Sequence, residues 1–299
     1  MALTTAKKKK QNAGSPQPRV LVTENLAQQP WLLHGWSTRQ GGSSDMYGKG
    51  SLNLGFTAQD KKETVLQNRR SFLEALGAQK NKKLFPFVTL RQIHSSYIHR
   101  VDRPFSEPPA GDGMITNKRG LVLGIQTADC LPILLADPVN KAVGAFHAGW
   151  RGTLARIVEK GVGAMRMHFG SDPARLLAAI GPGIGGCCYN VGAEVQAEFE
   201  SQFDYANELF HSVFESNPVR EKYPLLFMSA RAPGHSDLGP QLHLDLVKAN
   251  WMQLVGAGLK EKNISAAKLC TACNVKLLFS YRAEQGKTGR MMAAIGIRP

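Results

Sequence analysis

The sequence has 299 residues, 43% hydrophobic and 20% charged, which is an ordinary composition for a globular protein with a sizeable core. No apolar run approaches the roughly 18 residues of a membrane span, and the polar N-terminus lacks the apolar stretch of a secretory signal. The net charge of +14 fits anionic substrates or nucleic acid, although a solvated basic surface is the commoner cause of such a charge.

The first 19 residues differ in composition from the rest of the chain. They contain four consecutive lysines, two prolines and no acidic residue, a pattern typical of a disordered basic tail. Residues 20–299 contain no repeat and no clear linker, which predicts a single α+β domain of mixed α/β layers. The five cysteines are an odd number in a chain without a signal, so we expect reduced thiols and a cytoplasmic protein.

The residue pattern of the first half of the chain predicts a mixture of strands and helices. The pattern predicts an extended segment over 20–36, an amphipathic helix over 60–77, a strand over 87–101 and two buried strands within 120–138. Asp60 is the expected cap of the helix, and Gly77 is its expected end. A polar break, Gln126–Cys130, separates the two buried strands.

The second half continues the mixture of elements. The pattern predicts a short strand over 141–152, a helix over 153–170, a strand and a glycine-rich loop over 174–192, a helix over 193–203, an irregular region over 204–240, a helix over 242–259 and a closing hairpin over 277–297. The strand over 141–152 ends in an unusual segment, GAFHAGWRGT, in which histidine, tryptophan and arginine lie among glycines.

Three potential soft-metal ligands, His94, Cys130 and His147, each interrupt or end an apolar, strand-like segment. Loops at strand ends are where a rigid scaffold presents functional groups. Imidazole nitrogen and thiolate sulfur are zinc ligands, and a catalytic zinc commonly has three protein ligands and an open position. Spacing alone also fits three ordinary core or loop residues.

Other motifs give weaker signals. Gly181–Gly186 matches a dinucleotide-binding pattern formally, but Pro182 lies inside it and no acidic partner is obvious, so we interpret it as a glycine-rich turn. Cys270 and Cys273 could form half a zinc site, but the other cysteine pair is adjacent in the chain, at 187 and 188. We therefore interpret these four cysteines as buried small hydrophobes.

Several long segments resemble the YfiH family, whose members have been named polyphenol oxidase, laccase-domain protein, purine nucleoside phosphorylase and peptidoglycan editing factor. The segments are HGWSTRQGG, LGIQTADCLPILLADP, GAFHAGWRGT, AIGPGIGGCCYNVG and LLFSYRAEQGKTGR, and the resemblance covers about residues 30–299 in order. It implies a single zinc ion held by His94, Cys130 and His147. It also implies a fold similar to the catalytic domain of cytotoxic necrotizing factor.

The resemblance further implies the activity. It implies phosphorolysis of adenosine, inosine and 5′-methylthioadenosine to a free base and (methylthio)ribose 1-phosphate, with adenosine deamination as a side activity. Guanidinium groups suit phosphate, and an aromatic ring can stack on a base. The expected catalytic residues are Cys130, His147, Asp129 and Arg39, and the expected substrate and phosphate contacts are Arg39, Arg151, Tyr281 and Arg282, with Asp112 and Trp150 as weaker candidates.

Asp129 could orient a ligand or move a proton, although a role in a turn is equally compatible with its position beside Cys130. Two residues depart from the family pattern: Asn190 stands where an acidic residue is common, and Ala283 stands where a second arginine is usual. Both departures concern peripheral substrate contacts. The expected partners are purine nucleosides and inorganic phosphate, with no membrane and no nucleic acid, and the expected oligomeric state is a monomer.

Two alternative activities follow from the same residues. A copper-dependent polyphenol oxidase of the laccase type would require about ten histidines, many in His-x-His pairs, by resemblance to true laccases. The chain has eight histidines and no such pair, so copper would bind only adventitiously at the zinc ligands. Cys130 and His147 could instead form the nucleophile and base of a hydrolase or amidase that acts on a cell-wall precursor.

Overall fold

The computed structural model describes residues 4–5, 17–213 and 241–299. The chain divides into two compact units, a larger one of residues 1–185 with 246–299 and a smaller one of residues 186–245. Strands and helices are mixed along the chain, which confirms the predicted mixed α/β class. No helix within these described ranges is both long and apolar enough to cross a membrane.

Six strands form the first sheet of the larger unit. In sheet order they are β1 (Thr4–Thr5), β2 (Val20–Val22), β3 (Leu32–Ser37), β17 (Met291–Ile297), β10 (Val122–Thr127) and β7 (Phe87–Thr89). β17 is antiparallel to both neighbours, with Met291 opposite Thr127 and Ala293 opposite Trp36. The start of β17 and the ends of β3 and β10 therefore lie at one edge of this sheet.

Six further strands form the second sheet. In sheet order they are β16 (Ile264–Ala266), β13 (Leu177–Ile180), β11 (Leu131–Asp137), β12 (Ala142–Ala148), β9 (Gly113–Thr116) and β8 (Ile98–Arg100). β11 and β12 are antiparallel, and Pro132 is opposite His147. This register places Cys130, which directly precedes β11, beside the end of β12.

The main core lies between the two sheets, and side chains alternate across each strand as a period of two requires. Its members include Leu123 and Ile125 of β10, Ala293 and Ile295 of β17, Leu134 of β11, and Val143 and Ala145 of β12. The opposite face of the first sheet packs on α2 (Lys62–Leu76) through Phe72 and Leu73. The opposite face of the second sheet packs on α4 (Ile157–Phe169), where Gly161 lies against the ring of Phe146.

The remaining elements are short. The larger unit also contains α1 (Glu24–Ala27), β4 (Gln40–Ser44), β5 (Gln79–Lys80), β6 (Lys83–Leu84), α3 (Trp150–Leu154) and α6 (Leu246–Gly256). The smaller unit contains α5 (Ala193–Glu200) and a two-stranded sheet of β14 (Phe210–Val213) and β15 (Gln241–Leu244). The aromatic rings of Phe199 and Phe210 pack edge to face, which joins α5 to this sheet.

Three predicted strand regions differ from the structure. The expected strand over 87–101 is two strands, β7 and β8, because His94 between them has a left-handed backbone with φ of 59°. The closing hairpin over 277–297 is wrong, since only β17 forms there and residues 277–290 contain no strand. The extended segment over 20–36 is interrupted by α1.

The helix predictions need similar corrections. The helix over 153–170 is divided into α3 and α4, because Arg156 has a left-handed φ of 60°.

Lys61 rather than Asp60 is the N-cap residue of α2, and the Asp60 carboxylate accepts hydrogen bonds from Ser44 and Asn53 instead. Gly77 ends α2 with a left-handed φ of 75°, as predicted. The region over 242–259 begins with strand β15 before α6.

Two other expectations concern the tail and the cysteines. Most of the expected disordered tail, residues 1–19, lies outside the described residues, and its described part includes Thr4–Thr5, which pairs with Val22 and Leu21. The expectation of four buried cysteines is wrong. Cys187 and Cys273 are exposed, and Cys188 and Cys270 are half-buried.

Candidate metal site

The three predicted metal ligands converge in the larger unit. The Sγ atom of Cys130 and a ring nitrogen of each of His94 and His147 all lie within 4.8 Å of one another. His94 lies in the loop after β7, Cys130 between β10 and β11, and His147 near the end of β12. Three segments that are distant in sequence therefore meet at this group.

This group has the chemistry of a metal site. Zinc bonds of about 2.0–2.3 Å to nitrogen and sulfur place tetrahedral ligand atoms roughly 3.3–3.8 Å apart, so the group needs only a small contraction to hold such an ion. His147 is buried, Cys130 is half-buried and His94 is exposed. Because His94 is exposed, solvent or substrate could reach a metal held here, which is typical of a catalytic rather than a structural site.

Asp112, which is fully buried, orients one of the ligands. Its Oδ1 lies 2.8 Å from Nδ1 of His147. Burial raises the pKa of Asp112, but hydrogen bonds from His147 and Ser95 outweigh burial and lower the pKa to about 2. Because an ionised carboxylate only accepts hydrogen bonds, His147 donates from Nδ1, so Nε2 is the nitrogen that can bind a metal once it has released its proton.

The same carboxylate also holds the backbone around His94. The backbone N–H groups of Ile93, His94 and Ser95 donate to it over 3.2, 3.0 and 2.6 Å. The Ser95 hydroxyl adds a fourth hydrogen bond of 2.7 Å. These bonds stabilise the left-handed backbone of His94, which a residue other than glycine adopts at a cost of about 1 kcal/mol or more. Asp112 therefore positions two ligands at once.

The structure explains why a glycine occupies position 149 in GAFHAGWRGT. A Cβ atom built on Gly149 would lie 2.8 Å from Sγ of Cys130 and 3.2 Å from Cδ2 of His94. The first distance is shorter than real Cβ contacts allow, so a side chain here would displace a ligand. The backbone of residue 149 thus forms one wall of the ligand group.

The electrostatics favour the thiolate form of Cys130, which is the form that binds a metal. Burial would raise the pKa of this thiol, but the positive charge of His147 and hydrogen bonds with His147 and His94 outweigh burial and lower the pKa. Burial would lower the pKa of His147, but the Cys130 thiolate and Asp112 outweigh burial and raise it. The metal-free group therefore favours a thiolate–imidazolium pair.

The carboxylate of Asp129 bonds to the segment over 271–282. Its Oδ1 accepts hydrogen bonds from the hydroxyls of Thr271 and Ser280, over 2.6 and 2.7 Å. Its Oδ2 accepts the backbone N–H of Arg282 over 2.7 Å. Asp129 has a φ of 95°, so its backbone also departs from the usual regions. These contacts connect residue 282 to the residue before Cys130.

Tyr281 and Arg282 lie on this connected segment. The side chain of Tyr281 is 54% exposed, and the guanidinium carbon of Arg290 lies 5.5 Å from its ring centroid. A hydrogen-bonded backbone with an exposed aromatic side chain is suited to hold a planar ligand. Hydrogen bonds from Ser280 and Arg282 to Asp129 hold the backbone on both sides of Tyr281.

Two of the predicted phosphate contacts, Arg39 before β4 and Arg151 in α3, have different surroundings. Arg39 donates to the backbone oxygens of Val275 and Tyr47, pairs with Glu284 at 3.0 Å and lies over the ring of Phe279. Its guanidinium is therefore engaged by the protein. Arg151 is exposed, and its guanidinium carbon lies 4.3 Å from the ring centroid of Trp150. Arg151 is the more accessible of the two cations.

From the sequence, Asp112 is only a weaker candidate, and Gly149 is not a candidate at all. Asp112 lies between two glycines at the start of β9, and its backbone oxygen accepts the N–H of His147 over 2.8 Å. A short acidic residue between glycines before a buried strand was the available signal. Only the strand pairing, which joins β9 to β12, shows that this carboxylate lies beside a metal ligand.

The chain is similar to known proteins over nearly its whole length. Residues 33–298 match the family model described as multi-copper polyphenol oxidoreductase laccase. The chain is 31% identical over 294 residues to the purine nucleoside phosphorylase YlmD of Bacillus subtilis, an alignment that covers 94% of this chain and 95% of the relative. It is 36% identical to a purine nucleoside phosphorylase of Deinococcus radiodurans, which covers 95% of this chain and 94% of the relative.

Two solved structures are similar in fold. The crystal structure of the hypothetical protein YfiH of Bacillus licheniformis has a TM-score of 0.77 and 30% identity, covering 95% of this chain and 97% of the other. The crystal structure of YlmD from Geobacillus stearothermophilus has a TM-score of 0.74 and 30% identity, covering 97% and 98%. Both likenesses extend over nearly the whole of each chain.

Proposed function

The chain belongs to the family described as multi-copper polyphenol oxidoreductase laccase, and we propose that it is a zinc-dependent purine nucleoside phosphorylase. The proposed substrates are adenosine, inosine and 5′-methylthioadenosine with inorganic phosphate. The products are the free base and ribose 1-phosphate or its methylthio derivative. The names of relatives that align over nearly the whole chain support this type of enzyme.

The observation that carries the proposal is the group of His94, Cys130 and His147 with its solvent-facing side. A zinc ion held there would supply Lewis-acid chemistry and lower the pKa of a bound water. Such chemistry supports phosphorolysis and also the proposed side activity, deamination of adenosine to inosine. Asp112 keeps the ligand group in place through His147 and the backbone of His94.

Substrate contacts are proposed on the neighbouring segments. Tyr281 offers an exposed ring on which a purine base could stack, and Asp129 holds the backbone next to it. Arg151 and Arg282 offer cations for phosphate or the sugar. Arg39 contributes by holding the backbone at Val275 and Tyr47, because its guanidinium is engaged by these groups and by Glu284.

The family description names copper, but the histidine content of this chain argues against laccase chemistry. The chain has eight histidines and no His-x-His pair. Within the described ranges, histidines contribute to a single candidate metal group. A blue-copper site together with a trinuclear copper site would require more imidazole ligands than this group supplies, so we propose zinc as the resident metal.

A Cys–His hydrolase is the second candidate function, and a specific observation favours it. Cys130, His147 and Asp112 are linked as a thiolate, an imidazolium and a carboxylate, which is the order of groups in a catalytic triad. A second imidazole, His94, also hydrogen-bonds to the thiolate. A metal site needs this additional ligand and a nucleophile does not, so the phosphorylase is the stronger proposal.

Product analysis tests the proposal. Purified protein of known zinc content is incubated with adenosine, with and without phosphate, and the products are separated by chromatography beside those of Cys130→Ala. We expect adenine and ribose 1-phosphate only when phosphate is present, and their loss in the variant. Inosine would indicate the additional deaminase activity. Absence of turnover in a protein without stoichiometric zinc would contradict the phosphorylase and favour the hydrolase.

A further inference from the structure

Phosphorolysis requires a cation with available N–H groups, and Arg39 does not supply one in this structure. Among the described arginines, Arg69 alone has a buried guanidinium nitrogen, Nη2, without a hydrogen-bond partner. Its Nε donates to the backbone oxygen of Leu54 over 2.8 Å, so one N–H of the same group is engaged and another is not.

The charge of Arg69 also lacks a counter-ion. No carboxylate of the described residues lies within ion-pair distance of its guanidinium. Burial lowers the pKa of Arg69 to about 10. A buried cation without an opposite charge costs free energy, and an anion bound in the plane of the guanidinium would recover part of that cost.

Phe56 covers the face of this guanidinium and leaves its edge to hydrogen bonding. The guanidinium carbon lies 4.3 Å from the centroid of the Phe56 ring. A cation–π contact uses the face of the guanidinium, whereas phosphate oxygens bind to N–H groups at its edge. The Phe56 side chain is 53% exposed, so it can change rotamer without disturbing the core. Phe56 is therefore suited to cover a bound anion.

Contacts of Gly55, the residue after Leu54, connect this arginine to the segments that carry the metal ligands. A Cβ built on Gly55 would lie 2.6 Å from Cγ of Arg290 and 2.9 Å from Oε1 of Gln126, so both side chains pack against Gly55. Gln126 exchanges two hydrogen bonds of 2.8 Å with Gln92. Gln92 is two residues before His94.

The same contacts also lead to the loop that carries Cys130. Gln126 lies near the end of β10, four residues before Cys130, and Arg290 directly precedes β17 at the same sheet edge. Arg290 also lies over the ring of Tyr281, the proposed base contact. These contacts therefore connect Arg69 to the segments that carry His94 and Cys130, and to the proposed nucleoside contact Tyr281.

We propose that Arg69 is the principal contact of the phosphate co-substrate and that Phe56 covers the bound phosphate. This inference rests on the proposed phosphorolysis, because that reaction supplies the need for phosphate. It assigns to Arg69 the phosphate contact that the sequence suggested for Arg39.

Phosphate binding to the full-length, zinc-loaded protein tests the inference, with inorganic phosphate as the probe in isothermal titration calorimetry. A charged hydrogen bond contributes enough that Arg69→Gln should weaken phosphate binding about tenfold to a hundredfold. Arg69→Lys, which keeps the charge but not the planar edge, should lose less. Arg70→Gln is the matched control, since Arg70 is the exposed neighbour on α2 and the charge change is the same.

Each outcome distinguishes this site from the proposed function. Phosphate-dependent turnover with unchanged phosphate affinity in Arg69→Gln would overturn the site and leave the phosphorylase intact. Phosphate binding that depends on Arg69, without nucleoside turnover, would support the site and contradict the phosphorylase. If Arg69→Gln does not fold, a wild-type crystal soaked in tungstate decides. Its anomalous peak is expected within hydrogen-bond distance of Arg69 Nη2, and a peak elsewhere only would overturn the site.

Discussion

Asp112 and Asp129 are two buried aspartates that directly serve the same candidate site in different ways. The carboxylate of Asp112 accepts hydrogen bonds from the ring of His147 and from the backbone around His94, so it acts on the metal ligands. The carboxylate of Asp129 accepts hydrogen bonds from Thr271, Ser280 and Arg282, so it acts on the segment that carries Tyr281.

Asp112 supports the metal ligands and Asp129 supports the segment of Tyr281, and their positions in the chain do not reveal this difference. Asp129 directly precedes the ligand Cys130 in the chain, yet its carboxylate accepts hydrogen bonds from Thr271, Ser280 and Arg282. Asp112 is distant from Cys130 in sequence, yet it determines which nitrogen of His147 can bind a metal. We therefore expect changes at Asp112 to alter metal affinity and changes at Asp129 to alter substrate binding.

Asp112→Asn should have the largest effect on metal binding. The amide keeps one acceptor but places an N–H₂ group against backbone N–H donors, so His147 and His94 lose their fixed arrangement. Loss of such a partner of a metal ligand weakens metal affinity about tenfold to a hundredfold. Competition with a zinc chelator measures the affinity, and Asp129→Asn is the control. Equal zinc affinities in the two variants would contradict the claim that Asp112, and not Asp129, supports the metal ligands.

Gly149→Ala should also weaken metal binding, because its Cβ would lie 2.8 Å from Sγ of Cys130. Overpacking of roughly 1–3 kcal/mol corresponds to about a tenfold loss of zinc affinity or more. Gly163→Ala is the matched control. Gly163 lies in α4 with open space around its Cβ position, so alanine should leave zinc affinity unchanged and raise stability by about 0.5–1 kcal/mol.

Tyr281→Ala should affect the nucleoside and not the metal. Removal of a stacked aromatic ring costs about 1–3 kcal/mol per base, which predicts a KM for adenosine about tenfold higher. Tyr281→Phe keeps the ring and should retain the wild-type KM. Steady-state kinetics at saturating phosphate measures both variants. A similar rise in KM for Tyr281→Phe would show that the hydroxyl, and not the ring, makes the contact.

Asp129→Asn should have the smallest effect. Asparagine tolerates the left-handed backbone at this position, and its oxygen can still accept the two hydroxyl hydrogen bonds. The hydrogen bond from the backbone of Arg282 is lost, at about 1 kcal/mol, which corresponds to about a fivefold rise in KM for adenosine. Bound zinc should remain at the wild-type level, and a loss of zinc in this variant would break the distinction between the two aspartates.

The sequence predicts the strands and ligands of this site better than its supporting contacts. The buried strands on both sides of Cys130 follow from their apolar runs, and α2 follows from its helical periodicity and Gly77. Resemblance then singles out the three ligands. These features depend on local pattern, which a single sequence records directly.

The irregular segments could not be predicted because distant side chains determine their conformation. The predicted strand over 87–101 breaks at His94, where Asp112 holds the backbone. The predicted hairpin over 277–297 loses its first strand, because Ser280 and Arg282 bond to Asp129 rather than to a neighbouring strand. Arg69 was missed for the same reason, since only folding brings it beside Phe56.

Titration of the metal-free protein with zinc tests the central claim most directly, with the rate of phosphate-dependent adenine formation as the readout. The account predicts no activity without metal and a linear rise to a plateau at one zinc ion per chain, with no rise in Cys130→Ala. Full activity in the metal-free protein, or an inactive protein that has bound one zinc ion at these ligands, would contradict it.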